Sequence, residues 1–210
     1  MSIFLIGILV SSFAIAISRR ITSLVNSFIL QSLFLFFMVV FTAYKNNNIE
    51  LYIIAVLILL LKVISIPYFL RRIVKKMMID ENLGLFITPV LSIFAVILFA
   101  YFSYYLSVKI IGIKNIPDAV SLAVSLMVIL TGLFIMVFRM KAIAQVVGLL
   151  VVENGLFLVA VTLCGHMPFF VEIAIFFDVF VCVIILGIFV YKIKEVFTHI
   201  DVDKLTMLKG

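Results

Sequence analysis

The chain has 210 residues, 67% of them hydrophobic and 12% charged, with a net charge of +6. A soluble domain carries about 25% charged residues, so this composition excludes an ordinary soluble fold and points to an all-α integral membrane protein. The basic excess forms no separate domain or stripe, which argues against a nucleic-acid partner and leaves lipid head groups as the partners of the positive charge.

A spanning helix needs about 20 mostly apolar residues, because the hydrocarbon layer is about 30 Å thick and a helix rises about 1.5 Å per residue. Seven blocks approach or exceed that length: Ser2–Ser18, Thr22–Tyr44, Leu51–Leu70, Leu85–Leu106, Pro117–Phe138, Ala142–Cys164 and Pro168–Tyr191. The first is not a cleaved signal peptide by pattern, since Arg19 and Arg20 follow the apolar stretch instead of preceding it. The longest gap, Arg71 to Gly84, is 14 residues and holds no soluble domain.

Lys and Arg collect in cytoplasmic loops. Arg19 and Arg20 follow block one, and Arg71, Arg72, Lys75 and Lys76 follow block three. Arg139 and Lys141 follow block five, and Lys192, Lys194, Lys204 and Lys209 follow block seven. These twelve fall on one side of a seven-helix arrangement, against Lys45, Lys109 and Lys114 on the other. The pattern predicts about seven spans, with the N-terminus outside and the C-terminus cytoplasmic.

Plain anchors need no charge at midspan, where one costs about 2.5–3.5 kcal/mol on insertion scales. Lys62 is the twelfth residue of block three, Glu153 the twelfth of block six and Asp178 the eleventh of block seven. Lys62 therefore lies about 12 Å from one end of its helix and about 16 Å from the other, and its stem is too short to bring the ammonium fully to either surface. Glu172 lies about two turns from Asp178, toward the outer end. A structural ion pair needs one cation and one anion, whereas three carboxyls here accompany one lysine. Groups that can be charged or neutral at one depth are what ion transfer across a bilayer requires.

Other polar residues fit the same interior. Asn26 and Gln31 lie on the second helix. Ser121, Ser125 and Gly132 form a stripe on the fifth, and Gly148 and Gly155 lie a heptad apart on the sixth; both sets read as close packing. Pro67, five residues after Lys62, removes a helical hydrogen bond beside the lysine. Leu33-Phe34-Leu35 recurs as Leu156-Phe157-Leu158 at an offset of 123, a weak internal repeat. Cys164, Cys182, His166 and His199 form no metal-binding motif, so no metal or other cofactor is expected on this chain.

The segment from Pro117 to Gly210 resembles the three-helix NuoK subunit of the respiratory NADH dehydrogenase. The resemblance rests on the basic turn Arg139-Met-Lys141, on Gly148-Leu149-Leu-Val-Val-Glu153-Asn154-Gly155, on Asp178 within Phe177-Asp178-Val179, and on the tail from His199. The NuoK glutamate position corresponds to Leu150, one turn before Glu153, and the acid of the last helix is aspartate in place of glutamate. The whole chain is similar to component E of hydrogenase-4, through Lys62-Val-Ile-Ser-Ile-Pro67, Val152-Glu153-Asn154-Gly155-Leu156 and Val171-Glu172 to Asp178.

The resemblance implies two parts, residues 1–116 with four helices and a NuoK-like part, 117–210. It implies a non-redox membrane subunit of an energy-converting oxidoreductase complex in a prokaryotic cytoplasmic membrane, of the group 4 hydrogenase, formate hydrogenlyase or NADH-dehydrogenase-like kind. Its partners would be other membrane and peripheral subunits, and nickel-iron and iron–sulfur centres would belong to them. Glu153, Asp178, Lys62, Glu172 and Asn154 would form an ion-translocation path, with Asn154 orienting Glu153. A component of an Mrp-type cation/proton antiporter and a spacer subunit without its own ion path are the alternatives.

Overall fold

The computed structural model of the chain describes residues 2–76, 88–110 and 115–164, together with Gly187. Among the described residues the regular structure is entirely helical: α1 Ser2–Ile17, α2 Ile21–Asn46, α3 Ile49–Ile58, a π-helical segment Leu59–Ser65, α4 Ile66–Lys76, α5 Pro89–Tyr105, a second π segment Leu106–Ile110, α6 Ile116–Phe138 and α7 Ala142–Cys164. The third and fourth helices and the π segment between them form one rod.

Local chemistry accounts for the breaks. Asn47 ends α2 in the left-handed conformation (φ 48°), which asparagine tolerates. Asn48 then caps α3, its side-chain oxygen accepting from the Glu50 N–H at 2.9 Å. Pro89 and Pro117 stand in the first turns of α5 and α6, where the missing N–H costs nothing. Pro67 is the second residue of α4, one residue past the first π segment, whose closing bond runs five residues back, from the Ile66 N–H to the Leu61 carbonyl. A proline cannot supply the bond that an α-helix would make to residue 63, and the wider π register fills the turns before it.

Among the described residues five helices have the length and composition to cross a bilayer: Ile21–Asn46, Ile49–Lys75, Pro89–Lys109, Ile116–Phe138 and Ala142–Thr162. They match the second to sixth blocks of the sequence within a few residues. The first block is a helix of 16 residues, about 24 Å long and so shorter than the hydrocarbon layer. Block seven, with Glu172 and Asp178, lies outside the described residues, as do His166, Cys182 and His199.

The exterior of the bundle is apolar, and its largely apolar interior also holds polar groups. Serines 11, 12, 32, 92, 103, 107, 121 and 125, with Gln31, Lys62, Glu153 and Asn154, are buried, while Ile3, Phe94, Leu98, Tyr101 and Val137 are exposed. In lipid the outward face pays nothing for being apolar, and polar groups gain by turning toward one another. The four helices α1, α2, α6 and α7 make the centre. The α3–α4 rod leans on α2, and α5 packs on α1 and α6.

Small residues set the spacing within the centre. A Cβ on Gly132 would lie 2.7 Å from the Gly148 carbonyl oxygen and 2.7 Å from the Val152 nitrogen. One on Gly155 would lie 3.0 Å from the Ser125 carbonyl oxygen. The stripe of α6 and the glycine pair of α7 thus face each other at backbone contact, as their spacing predicts.

The basic turns gather at one end of the bundle. Arg139, after α6, donates to the Ala16 carbonyl at the end of α1 at 2.6 Å. Arg71, in α4, donates to Asn26 near the start of α2 at 2.6 Å. The turns holding Arg19–Arg20 and Arg139–Lys141 and the basic end of the third rod therefore lie together.

Candidate functional site: a buried lysine–glutamate pair

Lys62 enters the bundle from the π segment and is 1% exposed. Its Nζ lies 3.2 Å from Glu153 Oε1, and the glutamate is equally enclosed. Two charges removed from water are costly, and only close pairing with further hydrogen bonds offsets that cost. The second partner of the ammonium is Asn154 Oδ1, also at 3.2 Å. Adjacent residues of α7 therefore meet one lysine, and the asparagine expected to orient Glu153 places its oxygen on Lys62.

The network continues away from the pair. Asn154 Nδ2 donates to Gln31 Oε1 and to Ser32 Oγ of α2, each at 3.2 Å. Gln31 Nε2 donates to Ser12 Oγ of α1 at 2.8 Å, and Ser12 Oγ donates to the Ile8 carbonyl at 2.8 Å. Three rods and α1 thus converge on one buried line of polar side chains. The chemistry available there is charge storage and proton exchange between an amine and a carboxylate. Among the described residues no three His, Cys, Asp or Glu side chains come together as a metal site.

Lys62, Glu153 and Asn154 stand together as their depth in the sequence predicts, while Asp178 and Glu172 lie outside the described residues. Gln31 lines the interior, but Asn26 does not: it is exposed and holds Arg71. Five residues at about 100° each turn the helix by about 140° beyond a full circle, so the two cannot share a face. Ser12 and Ser32 carry no sequence signal, because serine is common in spanning helices and bonds its own backbone. Arg139 counts in the sequence only as a topological charge. It is instead 3% exposed and tied to α1, and burial pushes its guanidinium down to about 10, which leaves it charged at neutral pH. A cation at the C-terminal carbonyls of a helix is favourably placed.

No protein-family model matches the chain, and no solved structure matches it. Over nearly its whole length, 97% of this chain and 93% of the relative, it is 23% identical to an uncharacterized protein of Mycobacterium tuberculosis. Over 90 residues it is 37% identical to hydrogenase-4 component E of Escherichia coli K12, and equally so to that of Shigella flexneri. Those matches cover 43% of this chain and 42% of the relatives. The chain is a helical membrane protein with partial similarity to hydrogenase-4 component E.

Proposed function

We propose that the chain is a non-redox membrane subunit of an energy-converting complex of the group 4 nickel-iron hydrogenase, formate hydrogenlyase or NADH-dehydrogenase-like type, and that it contributes buried charges to a proton or sodium path. The observation that carries this reading is the Lys62–Glu153 pair at 3.2 Å, enclosed in the middle of spanning helices. A bundle held together by apolar and small-residue contacts has no need of two midspan charges, whose insertion is costly. The partial identity with hydrogenase-4 component E supports the choice of complex.

In this reading the chain crosses the membrane seven times, with the basic end of the bundle in the cytoplasm. Lys62, Glu153 and Asp178 carry the ion at mid-depth, Glu172 forms its outer approach, and Asn154 holds the lysine. Metal centres and redox chemistry belong to partner subunits. The reading is tested by purifying the tagged chain from its native membrane in mild detergent. Co-purifying subunits with nickel-iron or iron–sulfur centres are the expected result. An assembly of antiporter subunits without redox partners would overturn it in favour of an Mrp-type complex.

A further inference from the structure

The buried polar line has a direction, and donor–acceptor chemistry dictates it. A lysine ammonium only donates, so the Asn154 atom that meets it has to be the oxygen, as found at 3.2 Å. That turns Asn154 Nδ2 toward α2, where its two hydrogens reach Gln31 Oε1 and Ser32 Oγ. Gln31, having presented its oxygen, turns its amide nitrogen to Ser12 Oγ. Ser12, having accepted, gives its own proton to the Ile8 carbonyl. Donors therefore run one way from the third rod to the backbone of α1. Gln31, Ser12 and Ser32 are fully buried, so bulk water does not compete for any link. Aligned hydrogen bonds in such surroundings strengthen one another.

We infer that Gln31, backed by Ser12 and flanked by Ser32, is the positioning residue of the buried pair: it holds the Asn154 oxygen on Lys62 and makes the α1–α2 side of the lysine a wall that protons do not cross. A primary amide neither takes up nor releases a proton near neutral pH. The Lys62–Asn154–Gln31 line therefore orients the charge and does not conduct it. On the Glu153 side the partner of Lys62 is a carboxyl group, which can bind a proton as an amide cannot. Gln31 touches neither charged group in this arrangement; it acts through Asn154. The consequence for transport rests on the ion-path reading proposed above, whereas the orientation of the amides does not.

The experiment uses the full-length chain within its native membrane complex, labelled with ¹⁵N-lysine and observed by solid-state NMR, with Lys62→Met identifying the Lys62 Nζ signal. The double variant Gln31→Met, Ser32→Ala removes both acceptors of Asn154 Nδ2. Ser12→Ala removes a remote link with one small change and keeps the test open should the double variant fail to fold. Both are expected to shift the Lys62 resonance, the double variant further, with ion uptake per electron falling severalfold in the double variant. A Lys62 resonance that stays at its wild-type position in Ser12→Ala, and in the double variant where it folds, overturns the inference. A shifted resonance with wild-type ion uptake keeps Gln31 as the positioning residue and defeats the ion-path reading alone.

Discussion

At the scale of single residues, the informative ones are those that break the apolar pattern. Lys62 and Glu153 stand out because an ionisable group inside a spanning block is costly wherever it is placed, and the structure brings them to 3.2 Å. Gln31 is visible for the same reason in weaker form. Ser12 and Ser32 are not, since only their positions against Gln31 and Asn154 distinguish them from other serines. Arg139 shows a second limit: charge alone does not reveal that a turn residue folds back over the end of α1. Pairing has a stability consequence that can be measured. Removing one partner of a buried ion pair costs about 3–5 kcal/mol, because the other charge stays buried. Lys62→Met is expected to lower the stability of the purified chain in denaturant titration by that amount, and Lys62→Met with Glu153→Gln to regain most of it. A double variant no more stable than the single one would contradict the pairing.

At the scale of helices, boundaries were legible because lipid-facing blocks end where charge, proline or asparagine begins. The fifth and sixth blocks coincide with α6 and α7 to within one residue. The π segment was legible only as a disturbance near Pro67, since a proline reveals the lost bond and not the register that replaces it. Gln31 and Asn154, which bond each other, are 123 residues apart, and so are Ala16 and Arg139, the same offset as the two apolar triplets. Packing of α6 on α7 depends on glycines of both helices. A Cβ on Gly132 would lie 2.7 Å from backbone atoms of α7, and one on Gly148 would lie 2.9 Å from the Gly132 carbonyl oxygen and 2.8 Å from the Met136 side chain. Overpacking costs about 1–3 kcal/mol. Gly132→Ala and Gly148→Ala are each expected to lose stability in that range, measured by unfolding in mixed micelles. Wild-type stability in both variants would argue against backbone contact between α6 and α7.

For the whole molecule, an apolar exterior around a largely apolar interior with a few buried polar groups explains both the composition and the fold. The bilayer is itself apolar, so the helices are held by side-chain packing, by close backbone approach and by buried hydrogen bonds. Among the described residues the buried polar line centres on Lys62, Glu153 and Asn154, and its amide side ends in α1. In the function proposed, these charges move ions when partner subunits move electrons. The direct measurement is proton or sodium uptake per electron in vesicles carrying the assembled complex with Glu153→Gln and Asp178→Asn. Glutamine and asparagine keep size and hydrogen bonding but remove titration, so the complex is expected to assemble while uptake per electron falls severalfold. Wild-type uptake per electron in that variant would contradict the claim and leave the pair as a structural tie between α7 and the third rod.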